Sequence, residues 1–176
     1  MRKIADAERI QKFMRALGQE VEVPARVYFT GGATAVLLDW RPSTIDVDLR
    51  FFPENDQLFR ALPALKESLE INVELASPAD FIPELPGWQE RSLFISQEEK
   101  LSFYHYDFYA QALAKIERSH TQDLEDVSHM IRGKWIQPPL ALRYFEAIEE
   151  KLYLYPAIDP GTFRRSVREI LSPPNI

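Results

Sequence analysis

Hydrophobic and polar residues alternate in two short segments of the first half of the chain. In TIDVDLRF, residues 44–51, and in LEINVELA, residues 69–76, every second side chain is apolar. A period of two predicts half-buried β-strands, because successive side chains of a strand point to opposite faces of a sheet. The segments ARVYF, SLFIS and KLSFYHY are rich in strand formers and predict three more strands. The side chains expected to enter the core are Ile45, Val47 and Leu49 in the first segment, and Leu69, Ile71, Val73 and Leu75 in the second.

Helical periodicity surrounds these strands. Apolar residues at helical spacing predict a first helix over residues 5–17, with Gly18 as its stop. We expect a short helix in ATAVLLDW and a longer one in NDQLFRALPALKESL, with Asn55 or Asp56 as its N-cap and Pro63 as a candidate break. The segment PADFIPELPGW, which holds three prolines and a glycine, is expected to be a loop.

After Tyr106 the pattern is helical throughout. Four segments predict helices with prolines near their ends: DFYAQALAKIERS, QDLEDVSHMIRG, PPLALRYFEAIEEKLYL and DPGTFRRSVREILS. The predicted fold class is therefore α+β, a short mixed sheet flanked by helices and followed by a helical bundle. We assign residues 1–106 to the α/β core and residues 107–176 to a helical region packed on it, as one compact unit.

Composition narrows the class of protein. The chain is 45% hydrophobic and 27% charged, which is typical of a soluble globular domain. No apolar run approaches the roughly 18 to 20 residues that cross a membrane, and the first residues lack a signal-peptide core. There is no cysteine, which excludes disulfides and thiolate metal sites. A cytoplasmic protein without a membrane partner is expected.

The negative charge is concentrated in one part of the chain. Residues 31–110 hold 14 acidic and 6 basic residues, a balance of −8, whereas residues 111–176 are neutral. This excess suits a divalent cation. It argues against a broad nucleic-acid surface, though not against a local one.

Asp46 and Asp48 lie two residues apart in the first alternating segment. On a strand they point to the same side, where their charges repel unless a cation lies between them. Mg²⁺ prefers one or two carboxylates together with phosphate oxygens. A third carboxylate on a neighbouring strand would complete a two-metal site, and Glu74 is the best candidate, although Glu70 lies on the same face.

Gly31 and Gly32 follow a predicted strand and precede a predicted helix. Glycines there let backbone N–H groups approach a phosphate, and the positive end of the helix points at the same anion. A phosphate cradle next to a metal site indicates nucleotide chemistry. A phosphatase or nuclease could also use clustered carboxylates, but it would not explain the place of the glycines.

The order of these parts resembles a known signature. Gly31-Gly32, a short helix and IDVDL, residues 45–49, resemble the hG[GS]…hDhDh motif of the DNA polymerase β-like nucleotidyltransferase superfamily. The longer run TGGATAVLLDWRPSTIDVDL is similar to the branch of AbiEii-type toxins and small bacterial nucleotidyltransferases. Arg41 and Thr44 match the arginine and threonine of that branch.

A second region resembles the helical motif of the same branch. In ALAKIERSHTQDLEDVSHMI, residues 112–131, Lys115, Arg118, Asp123 and Asp126 occupy the motif positions. Gln122 stands where the branch has an arginine or lysine. Lys115 would stabilise charge on the triphosphate or the leaving group. Either aspartate could orient it, and Asp126 is favoured because it is expected to lie deeper in its helix.

The resemblance implies a nucleotidyltransferase that uses Mg²⁺ or Mn²⁺, takes an NTP and moves its NMP to a hydroxyl. The acceptor would be tRNA, another RNA or a small molecule, and an antitoxin protein could be a partner. The implied catalytic residues are Asp46, Asp48, Glu74, Lys115 and Asp126, and the first three of these would bind the metal. The implied nucleotide-binding residues are Gly31, Gly32, Arg41, Thr44 and Asp123. The alternative is a non-enzymatic binding module on the same scaffold.

Other notable residues favour structural roles. His105, His120 and His129 lack the spacing of metal ligands, so each is expected in the core or on the surface. The aromatic run from Phe103 to Tyr109 is more typical of a core than of a base-stacking site. The cluster Arg164, Arg165 and Arg168 is expected to be a solvated helix face rather than a phosphate contact.

Overall fold

The computed structural model describes residues 3–172. Within them, five strands and eight α-helices confirm the predicted α+β class. The strands are β1 Ala25–Thr30, β2 Asp46–Phe52, β3 Asn72–Leu75, β4 Leu93–Glu98 and β5 Leu101–His105. The helices are α1 Ala7–Glu20, α2 Gly31–Leu37, α3 Asp56–Ser68, α4 Trp88–Arg91, α5 Phe108–Arg118, α6 Thr121–Arg132, α7 Pro138–Ile148 and α8 Pro160–Leu171. Two 3₁₀ helices span Pro78–Asp80 and Glu149–Leu154.

The chain forms two compact units. The sheet unit contains residues 3–77 and 92–106, and the helical unit contains residues 78–91 and 107–172. From sequence, residues 78–91 were assigned to the α/β core of residues 1–106. In the structure this segment, which includes α4, belongs with the helices that follow residue 107.

The sheet has the strand order β3-β2-β1-β5-β4. The strand β1 runs antiparallel to β2 and parallel to β5, β2 runs parallel to β3, and β4 runs antiparallel to β5. The sheet is therefore mixed, as predicted. Its β1–β2 register pairs Thr30 with Asp48, which brings the end of β1 beside the start of β2.

One face of the sheet packs against α1 and α3. Val27 and Phe29 of β1, together with Val47 and Leu49 of β2, are fully buried in this core. Burying such apolar side chains is the main source of stability of the fold, at about 25 cal/mol per Å² of apolar surface. The residues that alternate with them on these strands, among them Asp46 and Asp48, lie on the opposite face.

Two breaks predicted for the helices are absent. The helix α1 continues through Gly18 to Glu20, because Gly18 serves a close contact: a Cβ there would lie 2.7 Å from the carbonyl oxygen of Glu98. The helix α3 begins after the N-cap Asn55, as predicted, and continues through Pro63. Burial of its apolar side chains outweighs the roughly 3 kcal/mol that an internal proline costs.

The alternating segments are buried less regularly than predicted. Ile45 is 69% exposed because β2 begins one residue later, and Leu75 is 52% exposed because it ends the short edge strand β3. By contrast, Asn72 on the predicted polar face is only 3% exposed. The predicted ATAVLLDW helix is α2, which begins earlier, at Gly31, and ends at Leu37.

In the helical unit, α5 contacts α6, α7 and α8. The segment 78–91 is bound to this unit by polar contacts. The hydroxyl of Tyr155 donates to the carbonyl oxygen of Ala79 at 2.7 Å, and Arg91 Nη2 lies 2.7 Å from Asp107 Oδ2. Burial raises the pKa of Asp107, and the Arg91 guanidinium acts against that shift. Among residues 3–172, no helix has the length and apolar character needed to cross a membrane.

Candidate nucleotide site

Asp46 and Asp48 project from β2 on the face of the sheet opposite the core, and both are half-buried. The parallel register with β3 places Asn72 beside Asp46 and Glu74 beside Asp48. This arrangement follows from the alternation that the sequence shows, since Val47 between the two aspartates is fully buried. The structure therefore brings the three predicted metal-binding carboxylates to adjacent positions of two strands.

Gly31 lies close to the Asp48 carboxylate. Its φ is +60°, in the left-handed region that favours glycine, and a Cβ there would lie 3.3 Å from Asp48 Oδ2. Gly31 begins α2 directly after β1 ends at Thr30, whose register partner is Asp48. The predicted phosphate cradle and the predicted metal carboxylates are thus neighbours.

Thr44 lies against Gly32. A Cβ on Gly32 would lie 2.8 Å from Thr44 Cβ and closer still to Oγ1, so only glycine fits. The Thr44 hydroxyl donates to the carbonyl oxygen of Asp46 at 3.0 Å, and its backbone pairs with Ala5. Thr44, predicted to bind nucleotide, therefore holds the glycine turn and the start of β2 together. Arg41, the other branch-specific residue, is half-buried in the connection between α2 and β2.

Asn72 is a site residue that the sequence analysis did not single out. Its Nδ2 donates to Asp46 Oδ1 and lies 3.4 Å from Glu74 Oε1. A buried amide donor between two carboxylates orients Asp46 and reduces the repulsion between the two acids. The sequence could have identified Asn72, because it lies two residues before Glu74 and therefore on the same side of the strand.

The carboxylates do not form a complete metal cage. Within residues 3–172, no three His, Cys, Asp or Glu side chains come close enough together to hold a metal ion. Glu74 is exposed, and Asn72 stands between it and Asp46. The donor set on β2 is therefore two hard oxygen ligands, which fits Mg²⁺ when phosphate oxygens supply the rest of its coordination.

Arg50 is a second residue that the alternation could have revealed. It lies two residues after Asp48 on the same face, half-buried, with Nη1 3.5 Å from the hydroxyl of Tyr106. It places a guanidinium on the strand that carries both aspartates. A guanidinium here can bind phosphate oxygens.

The second predicted motif forms an ion-pair network inside the helical unit. Lys115 Nζ on α5 lies 2.7 Å from Asp126 Oδ2 and 3.6 Å from Asp123 Oδ1, both on α6. Arg118 Nε lies 3.5 Å from Asp123 Oδ2. The turn that brings the helices together contains Ser119 in the left-handed conformation. Lys115, Asp123 and Asp126 are all buried, and Asp126 is the closer and deeper partner of Lys115.

A comparison with protein families decides the class of the chain. Residues 6–153 match DUF6036, a family described as a nucleotidyltransferase of unknown function. The chain belongs to this family. No curated protein and no solved structure matches it.

The region matched by DUF6036 contains every predicted site residue from Gly31 to Asp126. It includes both the sheet-unit carboxylates and the helical-unit lysine network. The match supports the nucleotidyltransferase family that the sequence motifs resemble.

The DUF6036 match also contains His105, which lies in the core of the sheet unit. Its Nδ1 lies 3.1 Å from Thr34 Oγ1, and that hydroxyl donates to the carbonyl oxygen of Phe29 at 3.3 Å. Burial lowers the pKa of His105 to about 4, so the ring is neutral at pH 7. His105 therefore has a structural role, one of the two outcomes expected from sequence.

The basic cluster on α8 lies beyond the DUF6036 match. Arg164 pairs with Glu149, with Nη2 2.6 Å from Oε2, while Arg165 and Arg168 are exposed. This arrangement is that of a helix face with a local ion pair. The predicted solvated face describes it better than a phosphate site.

Proposed function

We propose that the protein is a Mg²⁺-dependent nucleotidyltransferase that moves an NMP from an NTP to an acceptor hydroxyl. The observation that carries this proposal is the closeness of Gly31 to the Asp48 carboxylate, beside Asp46: a Cβ on Gly31 would lie 3.3 Å from Asp48 Oδ2. A phosphate-accessible turn and a metal-binding pair are adjacent in a chain of a nucleotidyltransferase family.

In this proposal Asp46 and Asp48 would hold Mg²⁺ or Mn²⁺ beside the triphosphate. When bound, the ion would supply charge stabilisation for transfer of the NMP and release of pyrophosphate. Asn72 keeps Asp46 in its ligating orientation, and Gly31 and Gly32 present backbone N–H groups to the phosphates. Glu74 remains the proposed third carboxylate.

Lys115 is also proposed as a catalytic residue, because it occupies a position of the helical motif that the sequence resembles. Within the helical unit, Asp126 and Asp123 fix the position of its ammonium, as their distances of 2.7 and 3.6 Å support. The proposed nucleotide-binding residues also include Arg41, Thr44 and Asp123.

The proposed acceptor is tRNA or another RNA, with a small molecule as the alternative, and an antitoxin protein is the proposed partner. The support is the resemblance of residues 25–131 to AbiEii-type toxins. In this form the enzyme would act as a toxin of a bacterial toxin–antitoxin pair.

The test incubates the protein with each of four α-labelled NTPs, Mg²⁺ and an acceptor panel of tRNA, other RNA, small molecules and proteins. Label transfer by the natural chain, and its loss in Asp46→Asn and Asp48→Asn, is the expected result. Asp56→Asn is the matched control, because Asp56 is an exposed carboxylate in the first turn of α3. The absence of transfer to any acceptor would overturn the proposal.

The second candidate is a binding module on the same scaffold that does not catalyse transfer. The absence of a three-ligand metal group among residues 3–172, and Gln122 in the place of a basic residue, favour it. A module that binds Mg²⁺–NTP without transfer gains about 2.7 kcal/mol of stability at a ligand concentration of 100 times Kd. Stabilisation without transfer would favour the module, and stabilisation with transfer would favour the enzyme.

A further inference from the structure

Three rings and a guanidinium are aligned across four strands on the face of the sheet that carries the two aspartates. Phe94 on β4 is paired in register with Tyr104 on β5, Tyr104 with Tyr28 on β1, and Tyr28 with Arg50 on β2. The Phe94 and Tyr104 ring centroids are 5.6 Å apart, and those of Tyr104 and Tyr28 are 5.3 Å apart and stacked. We refer to Phe94, Tyr104 and Tyr28 as the aromatic row.

The outer part of this row is accessible. Phe94 is 54% exposed and Tyr104 is half-buried, whereas Tyr28 is fully buried beneath them. The exposed Arg26 places its guanidinium carbon 5.4 Å from the centre of the Tyr104 ring, and its Nη1 lies 3.5 Å from the Tyr28 hydroxyl. The accessible surface is thus two aromatic rings with a planar cation held beside them.

The strand register gives the distance between the aromatic row and the two aspartates. Asp48 pairs with Thr30 on β1, two residues after Tyr28, and Tyr28 pairs with Tyr104 on β5. Tyr104 is therefore two strands across and two residues along from Asp48, so that roughly 12 Å separate their Cα atoms. Arg50 lies two residues from Asp48 along β2 and is paired across the sheet with Tyr28, the inner ring of the aromatic row.

We propose that Phe94, Tyr104 and Arg26 bind the nucleobase of the NTP, while Arg50 contacts its phosphates on the way to Asp48. This inference rests on the proposed function, since it assigns the base of the same substrate. A nucleobase combines a flat π surface, which stacks on aromatic rings and guanidinium planes, with ring acceptors for arginine donors.

The NTP fits this surface better than a nucleic-acid strand does. A strand needs a basic track along its backbone, and residues 31–110 carry a net charge of −8. The accessible surface offers two rings and Arg26, which suffices for one base. Arg50 then serves the phosphates of that same nucleotide.

The experiment measures, in the presence of Mg²⁺, the binding of each of the four NTPs, of inorganic tripolyphosphate and of a labelled single-stranded RNA oligonucleotide. The variants are Tyr104→Ala, Phe94→Ala, Arg26→Ala and the conservative Tyr104→Phe. Tyr153→Ala is the control, because Tyr153 is an aromatic residue that is 76% exposed and lies in the helical unit. We expect Tyr104→Ala to weaken NTP binding by about 5- to 150-fold, the range of base–aromatic stacking.

Tripolyphosphate has no base, so Tyr104→Ala should bind it as the natural chain does, which also shows that the variant is folded. Tyr104→Phe should retain NTP binding because it retains the ring. Three results would overturn the inference. The first is an unchanged NTP affinity in Tyr104→Ala. The second is an equal loss of affinity for NTP and for tripolyphosphate in both Tyr104→Ala and Phe94→Ala, and the third is a loss of affinity for the oligonucleotide alone.

The experiments distinguish the base site from the transfer activity. Transfer of NMP with undiminished NTP affinity in Tyr104→Ala would reject the base site and keep the enzyme. Base-dependent NTP binding without transfer to any acceptor would reject the enzyme and keep the base site.

Discussion

Gly32 lies directly against Thr44, close enough that a single added methyl group would overlap the threonine side chain. The contact connects the start of α2 to the residue whose hydroxyl donates to the Asp46 carbonyl oxygen. The turn that forms the proposed phosphate cradle and the strand that carries the aspartates are thereby held in one arrangement. The geometry of the site thus depends on packing as well as on the charged groups.

Substitution of Gly32 by alanine tests this contact. We expect Gly32→Ala to lower the free energy of unfolding by about 1–3 kcal/mol, the usual effect of overpacking, and Thr44→Gly in the same chain to recover part of the loss. Urea unfolding followed by circular dichroism measures both. Gly161→Ala is the control, because a Cβ there would lie 3.5 Å from its nearest neighbour, Asp159 Oδ1. Equal stability of Gly32→Ala and the natural chain would contradict the close contact.

Asn72 offers a test of the carboxylate geometry. Asn72→Leu removes the donor to Asp46 Oδ1 while filling similar space, so we expect transfer activity to fall by about 10- to 100-fold, as for other groups that orient metal ligands. Initial rates at saturating NTP over a range of Mg²⁺ concentrations measure the change. Gln97→Leu, which alters an exposed amide on β4, should keep the natural rate. A Mg²⁺ requirement identical in Asn72→Leu would show that Asn72 does not orient the ligand.

The Lys115 network predicts a large effect on stability. Lys115→Met removes the ammonium that lies 2.7 Å from the buried Asp126 carboxylate, and we expect the free energy of unfolding to fall by about 3–5 kcal/mol. Lys115→Met with Asp126→Leu should recover much of the loss, since the buried carboxylate is then removed as well. Lys12→Met is the control, because Lys12 pairs with Glu8 on the surface, where an ion pair contributes less than about 1 kcal/mol. Activity assays of Lys115 variants therefore need a parallel measurement of folding.

His105 predicts a dependence of stability on pH. Its folded-state pKa of about 4 lies below the ordinary histidine pKa of 6.5, so between these values the unfolded chain binds a proton that the folded chain does not. The stabilisation is complete above pH 6.5 and is lost as the pH falls towards 4, by about 3 kcal/mol in all. His105→Gln should flatten this part of the curve of unfolding free energy against pH. His120→Gln, which replaces a histidine at an exposed position, is the matched control.

The predictions from sequence succeeded where the local sequence alone determines the structure of a segment. The alternation around Val47 placed Asp46 and Asp48 on one face, and the N-cap Asn55 marked the start of α3. They failed where a contact with a distant segment of the chain determines the structure. Gly18 does not stop α1 because it packs against Glu98, 80 residues later in the chain.

The same limit applies to the candidate site. The glycines and the aspartates could be identified from their order, but Asn72 acts through a contact with β2 that only the register reveals. Leu75 follows the alternation perfectly and is still exposed, since β3 lies at the edge of the sheet. Likewise, nothing in the composition of residues 78–91 shows that Tyr155 and Asp107 hold them.

That segment has a consequence for how the chain can be divided. The polypeptide passes from one unit to the other after residues 77, 91 and 106, so no single cut separates them. A fragment ending at residue 106 would retain Arg91 and lose Asp107, and would retain Ala79 and lose Tyr155. Recombination at a single point in the gene therefore cannot exchange the helical unit as a whole. Transplanting it onto another sheet would require moving two stretches of sequence together.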